Sequence, residues 1–174
     1  MNYLYHMVPR NMNGEYLFPL NEMKDKYPEI YKEAIKKYLG RERIMERKIP
    51  YLNCKWNDCV HMTAAKPQQV INALLEANSP PRKRIKWYKI DPKTLDKSKL
   101  IVYLDPKKKS DDNIKEFKEY RIKDLKEYSK IPKETKTYYK NKFQSKEKPL
   151  LFHLIPHILH KRSINITKCE IIEV

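Results

Sequence analysis

RERIMERKIPYLNCKWNDCVHMT, from Arg41 to Thr63, begins as a basic helix end and finishes as a short apolar strand. Between them stand Pro50, two cysteines and the turn Trp56-Asn57-Asp58. An arginine-rich segment, a turn and then a strand carrying His61 and Thr63 can assemble a site for an anionic ligand. Arginine suits that task because its planar fork pairs bidentately with phosphate. Read for folding alone, the same stretch is a helix that stops before Pro50 and a loop that feeds a core strand.

Composition narrows the classes. At 174 residues the chain is expected to form one domain with a substantial core. A charged fraction of 34% is high, yet 40% apolar and 11% aromatic residues exceed what a disordered chain carries. Gly14 and Gly40 are the only two glycines, which excludes both common glycine-rich phosphate loops. Lysine and arginine total 38 against 22 acidic residues, a net charge of +16 that favours a polyanionic partner, nucleic acid first. The same lysine richness also arises from biased composition, since Ile, Asn and Tyr are abundant as well.

Cys54, Cys59 and Cys169 are three in number and outline no disulfide framework. The opening Met1-Asn2-Tyr3-Leu4-Tyr5-His6 lacks the charged start and apolar run of a secretory signal. Nothing approaches the ~18 apolar residues of a membrane span. The expectation is a soluble, cytoplasmic protein without a membrane partner. Cys54, Cys59 and His61 invite zinc, but a C-x4-C spacing with no nearby fourth ligand argues for no metal.

Taken in order, Asn2–Val8 reads as an opening strand, and Gly14 and Pro19 flank the short apolar piece Tyr16-Leu17-Phe18. Helix is expected from Leu20 to Arg47, with Pro28 in a first turn, Gly40 as a cap and Pro50 as the stop. Cys59–Met62 is a strand, Pro67 opens a helix buried along Val70, Ile71, Leu74 and Leu75, and Ile85–Ile90 and Leu100–Leu104 are strands. Residues 105–148 read as a lysine-rich helical insertion. It comprises a solvated turn at Lys107–Asp112, an amphipathic helix along Ile114, Phe117, Tyr120, Ile122 and Leu125, and a second helix over Thr135–Phe143. Tyr138, Tyr139, Lys140 and Lys142 interleave rings and cations, a mixture able to hold phosphate and stack on bases. His153, His157 and His160 cluster near the end, where Pro156 interrupts any helix, and Ile164–Ile166 and Glu170–Val174 look like terminal strands.

This layout resembles the ADP-ribosyltransferase superfamily, and within it the DarT-type nucleic-acid ADP-ribosyltransferases. Three pieces carry the resemblance. Leu4-Tyr5-His6 is similar to the family's opening strand, whose histidine contacts NAD. Arg47-Lys48-Ile49-Pro50 through Asn57-Asp58-Cys59-Val60 is similar to its arginine, proline and Asn/Asp lead-in to a strand. Cys169-Glu170-Ile171-Ile172 is similar to the late strand that presents a catalytic glutamate. The family continues well past that strand, whereas four residues follow Glu170 here. A second register therefore stands beside the first: Phe152–Pro156 takes the glutamate strand, His153 takes the glutamate's place and Ser163–Val174 becomes the last strand.

The resemblance implies an α+β, ADP-ribosyltransferase-like fold, with short mixed strands around a cleft and flanking helices. It implies NAD as co-substrate, DNA or RNA as acceptor, a toxin or defence role and an inhibitory protein partner. Glu170 would bind the ribose and orient the acceptor, and Arg47, with Arg43 in reserve, would pair with the pyrophosphate. His6 and Tyr5 would meet the cofactor on the first strand, with Trp56, Asn57, Asp58 and His61 lining the cleft. Two other classes fit the residues. One is a metal-independent ribonuclease using His153 and His157 as base and acid. The other is a basic nucleic-acid-binding module without catalysis.

Overall fold

The structure, a computed structural model, describes all residues except Met1, Asn11, Asn13, Arg82 and 108–112. The chain opens with β1 (Leu4–Met7) and β2 (Tyr16–Leu17), followed by α1 (Leu20–Lys26) and α2 (Pro28–Ile35). Proline sets both helix starts: Pro19 flanks α1, and Pro28 occupies the first position of α2, where no N–H is missed. A hairpin of β3 (Lys48–Ile49) and β4 (Cys54–Lys55) precedes β5 (Cys59–Met62). Then come α3 (Pro67–Glu76), β6 (Lys86–Ile90), β7 (Leu100–Tyr103), β8 (Phe117–Glu119), α4 (Leu125–Tyr128) and α5 (Lys133–Gln144). The chain closes with β9 (His157–Lys161), β10 (Ile164–Asn165) and β11 (Glu170–Glu173).

The central layer is a four-stranded sheet in the order β5-β9-β7-β8. Alternation along its strands sends two apolar sets to opposite faces. Val60, Met62, Val102 and Ile158 join Leu4, Tyr88 and Ile90 in one core. Cys59, Ile101, Tyr103, Phe117 and Leu159 join Leu20, Met23, Tyr38, Ile49 and Trp56 in another, beneath α1. Burial on both faces explains why β7 reads as an unbroken apolar run. A second sheet, β1-β6-β11, meets the first where Tyr5 and Thr63 exchange backbone hydrogen bonds of 2.8 and 3.0 Å. α3 and α5 pack together through Ile71, Leu74 and Tyr139.

The molecule is therefore α+β, and among the described residues all strand ladders are antiparallel rather than mixed. Several expectations need correction. The Ile114–Leu125 stretch is not one amphipathic helix: a 3-10 turn at Asn113–Glu116 leads into β8, because Phe117 finds a backbone partner in Tyr103 at the open edge of β7. The helical region expected over Leu20–Arg47 is α1, α2 and two 3-10 turns, Lys36–Tyr38 and Glu42–Ile44; Pro28 opens α2 as expected, and the chain past Gly40 adds only the second 3-10 turn. Pro50 sits in the β3–β4 hairpin rather than ending a helix. Leu75 points outward at 51% exposure, and Ala73 takes its place against the core. The strand expected over Phe152–Pro156 starts instead at His157, since Pro156 cannot donate to a ladder. The turn expected at Lys107–Asp112 lies, from residue 108 on, outside the described residues. No helix among the described residues is long and apolar enough to cross a membrane.

Because β9 holds the centre of the sheet, Leu159, with no exposed surface, should be among its most costly side chains to truncate. Leu159→Ala is expected to lower unfolding free energy by about 2–5 kcal/mol in urea denaturation. Leu39→Ala, at a residue 74% exposed, should stay within about 0.5 kcal/mol of the parent.

Candidate functional site

Two histidines stand where the sheets join. His6 on β1 places Nδ1 2.7 Å from the carbonyl oxygen of His61. A carbonyl only accepts, so Nδ1 carries the proton and Nε2 is left as an acceptor. His61 on β5 places Nε2 2.9 Å from the carbonyl oxygen of Trp56, which fixes the opposite tautomer and leaves Nδ1 as its acceptor. Burial pushes His6 down to about 4 and His61 to about 3, against the opposing pull of each carbonyl bond. The Lys37 charge lowers both further. At neutral pH both rings are uncharged acceptors of fixed orientation.

Beside them lies an arginine held among rings. The Arg47 guanidinium sits 4.7 Å from the ring centre of Tyr103, 5.3 Å from Phe117 and 5.9 Å from Trp56. It donates to the Tyr103 hydroxyl at 3.0 Å and pairs with the carboxylate of Glu116, a residue 1% exposed. Tyr103 in turn donates to Asp105 Oδ1 at 3.3 Å, and Asp105 Oδ2 accepts from the Leu154 backbone N–H at 2.6 Å. Trp56 stands edge-on to His61 at 4.5 Å and to Tyr103 at 5.1 Å. His157, at the head of β9, is the cross-strand partner of Tyr103, with ring centres 5.9 Å apart, and lies 6.2 Å from Trp56. Imidazole acceptors, a guanidinium, a carboxylate and a tryptophan edge thus meet within one cluster.

Of the residues expected from sequence, His61, Arg47 and His157 are gathered around Trp56, and His6 joins them through its bond to the His61 carbonyl. Others are not. Glu170 lies on edge strand β11, with β6 and β1 between it and β5, and its carboxylate accepts from Lys89 at 2.7 Å. Strand register aligns Glu170 with Lys89 and Tyr5, and aligns His6 with Tyr88 and Ile171, so Glu170 and His6 face opposite sides. Tyr5 thus belongs to the side away from His6, and burial raises its phenol. His153 stacks on Tyr138 at 4.0 Å, on the flank of α5. Arg43 is exposed in its 3-10 turn. Asp58 accepts from Asn21 at 2.6 Å and from the Lys55 backbone at 2.7 Å, which makes it a turn-builder. Asn57 is buried with Oδ1 unpaired.

Sequence reading missed Glu116, Tyr103 and Asp105. Glu116 looked like the polar face of a helix, and Tyr103 like one more core residue of Leu100–Leu104. Only an acidic residue directly before the strand-forming Phe117 hinted otherwise. Among the described residues no group of three His, Cys, Asp or Glu side chains could hold a metal. No protein-family model, curated protein or solved structure matches the chain.

The neutral histidines give a signed pH dependence. Their folded values lie below the ordinary histidine value of about 6.5, so the unfolded chain binds more protons between pH 6.5 and 4. Stability is full above pH 6.5 and is lost as pH falls. Urea denaturation at pH 5 should show on the order of 3 kcal/mol less stability than at pH 7. In His6→Gln roughly half of that drop should disappear.

Proposed function

We propose that the protein is an ADP-ribosyltransferase that takes NAD as co-substrate and modifies nucleic acid at the His6–His61–Arg47 cluster. The observation that carries this reading is the pair of strand histidines, each locked by a backbone carbonyl as a neutral acceptor. Two such acceptors suit the hydroxyls of a ribose, and His61 packs on Trp56, the ring that the Arg47 guanidinium, a group suited to pyrophosphate, also faces.

Breaking the nicotinamide–ribose bond develops oxocarbenium character at the ribose carbon, and an electron-rich group beside it lowers the barrier. His6 Nε2 accepts from a ribose hydroxyl, which orients the sugar and enriches its oxygen. The late strand that enters the cluster is β9, and in this reading its first residue, His157, takes the role that the two registers gave to Glu170 or His153. His157 receives the proton that the acceptor nucleophile releases as its bond to the ribose carbon forms and nicotinamide leaves. Glu116 holds Arg47 in orientation. The +16 net charge supplies salt-sensitive phosphate contacts for a DNA or RNA acceptor.

Histidine-based RNA cleavage is less well supported. It needs one imidazolium as acid, and His6 and His61 are kept uncharged at neutral pH. His153 and His157, the pair that reading requires, are divided between the Tyr138 stack and the cluster.

The test is label transfer from adenine-labelled NAD to single-stranded DNA, duplex DNA or RNA. His6→Ala and His157→Ala are expected to lose about a hundredfold or more in rate, while Glu170→Ala stays within about threefold. Loss of transfer in Glu170→Ala alone would return the catalytic role to β11. No transfer to any polymer, with no NAD-dependent rise in melting temperature, would sink the reading.

A further inference from the structure

Cys54 on β4 and Cys59 on β5 lie outside the histidine cluster, and neither has a role in the proposed transfer. Their Sγ atoms are 3.6 Å apart. A disulfide needs about 2.05 Å, so closure asks for little more than side-chain rotation and a small approach of the two strands. The two thiols differ in access. Cys59 is 3% exposed, whereas Cys54 is partly exposed and lines an open surface cavity of about 830 Å³ between the β3–β4 hairpin and Asn21. The third cysteine, Cys169, stands apart from this pair, against the core on the β1–β6 side.

Electrostatics separate them in the same sense. The hydrogen bond between the two sulfurs holds the Cys54 thiol below its ordinary value, against the opposing effects of burial and the Asp58 carboxylate, with a smaller lowering from the Lys161 ammonium. That bond and burial push Cys59 up. Lys161 is itself anchored by the Leu52 carbonyl at 2.8 Å. A reachable sulfur with thiolate character backed by a buried thiol is the arrangement of an attacking and a resolving cysteine.

We propose that Cys54 and Cys59 form a reversible redox site that reacts with low-molecular-weight disulfides such as oxidised glutathione. The Cys54 thiolate attacks one sulfur of the disulfide, forming a mixed disulfide and releasing one thiolate. Cys59 then gives up its proton and attacks the Cys54 sulfur, forming the Cys54–Cys59 bond and releasing the second thiol. Two protein thiols are oxidised and one external disulfide is reduced to two thiols, so electrons balance. The ring so closed contains Trp56, Asn57 and Asp58, and oxidation therefore fastens the turn that presents Trp56 to the cluster.

The experiment exposes the folded full chain, in a Cys169→Ser background, to oxidised glutathione and reads intact mass and peptide maps. The expected product has lost two hydrogens, carries no glutathione, and returns to the starting mass with a reductant. Adding Cys59→Ser should trap a stable glutathione adduct on Cys54, and adding Cys54→Ser should leave Cys59 unmodified. A persistent adduct on Cys54 when Cys59 is intact would overturn the resolving role. Both thiols remaining free while unfolded chain under the same conditions is oxidised would overturn the site. A circular dichroism spectrum matching the parent, recorded for each variant, keeps misfolding from passing as either result.

Discussion

A carboxylate with 1% of its surface exposed cannot stand alone, and the ion pair between Glu116 and Arg47 is the constraint from which much of this structure follows. Removing two charges from water costs several kcal/mol each, and attraction offsets this only with good geometry and further hydrogen bonds. The protein supplies both. Arg47 also bonds Tyr103 and lies over three rings, and its own carbonyl accepts from the Trp56 N–H at 2.8 Å. Through Tyr103 and Asp105 the chain of bonds reaches the Leu154 N–H, just ahead of β9. Segments distant in sequence are thereby forced into one arrangement. Removing either partner would leave the other charge buried and unpaired, at a cost of about 3–5 kcal/mol.

The same dry surroundings set the state of the histidines. A medium that makes an unpaired charge expensive also makes an imidazolium expensive, and a neighbourhood containing Lys37 adds like-charge repulsion. The cluster thus divides its labour. Arg47 carries permanent charge, while His6 and His61 offer lone pairs with no charge at all. The lysine excess acts elsewhere. Where lysines do meet carboxylates, in exposed pairs such as Lys32–Glu29 and Lys36–Glu33, each pair is worth little to stability. The net charge of +16 sets up a long-range positive field around the molecule.

Local signals were legible in the sequence, and long-range pairings were not. Pro28, Pro67 and the alternation of Ile85–Ile90 mark their elements through backbone chemistry that acts over a few residues. His6, Arg47, Trp56, His61 and His157 could be singled out because their chemistry is unusual for a strand or a turn. Glu116 could not, since its partner is 69 residues away and its own neighbours repeat at a helical period. That period, Ile114, Phe117, Tyr120, Leu125, is also met by a 3-10 turn followed by a short strand that buries Phe117 and exposes Lys118 and Glu119. The free edge of β7 decides between them, and an edge is a property of the sheet. The same holds for Glu170: its terminal strand was foreseen, but not the sheet it would join or the face it would present.

The order of the central sheet bears on how the cluster comes into being. β9 lies between β5 and β7, yet it follows both by long stretches of chain. Until it inserts, β5 and β7 have no partner in common, Tyr103 lacks its cross-strand neighbour His157, and the Asp105–Leu154 bond has nothing to close on. Contacts of such sequence separation must overcome loop-closure entropy before they add stability, so they form late. The cluster is consequently a product of the completed sheet. With β9 docked, His157 stands across from Tyr103 and the Leu154 N–H reaches Asp105, so the last of these segments to be made supplies the cluster with a ring and a hydrogen bond that nothing earlier in the chain provides.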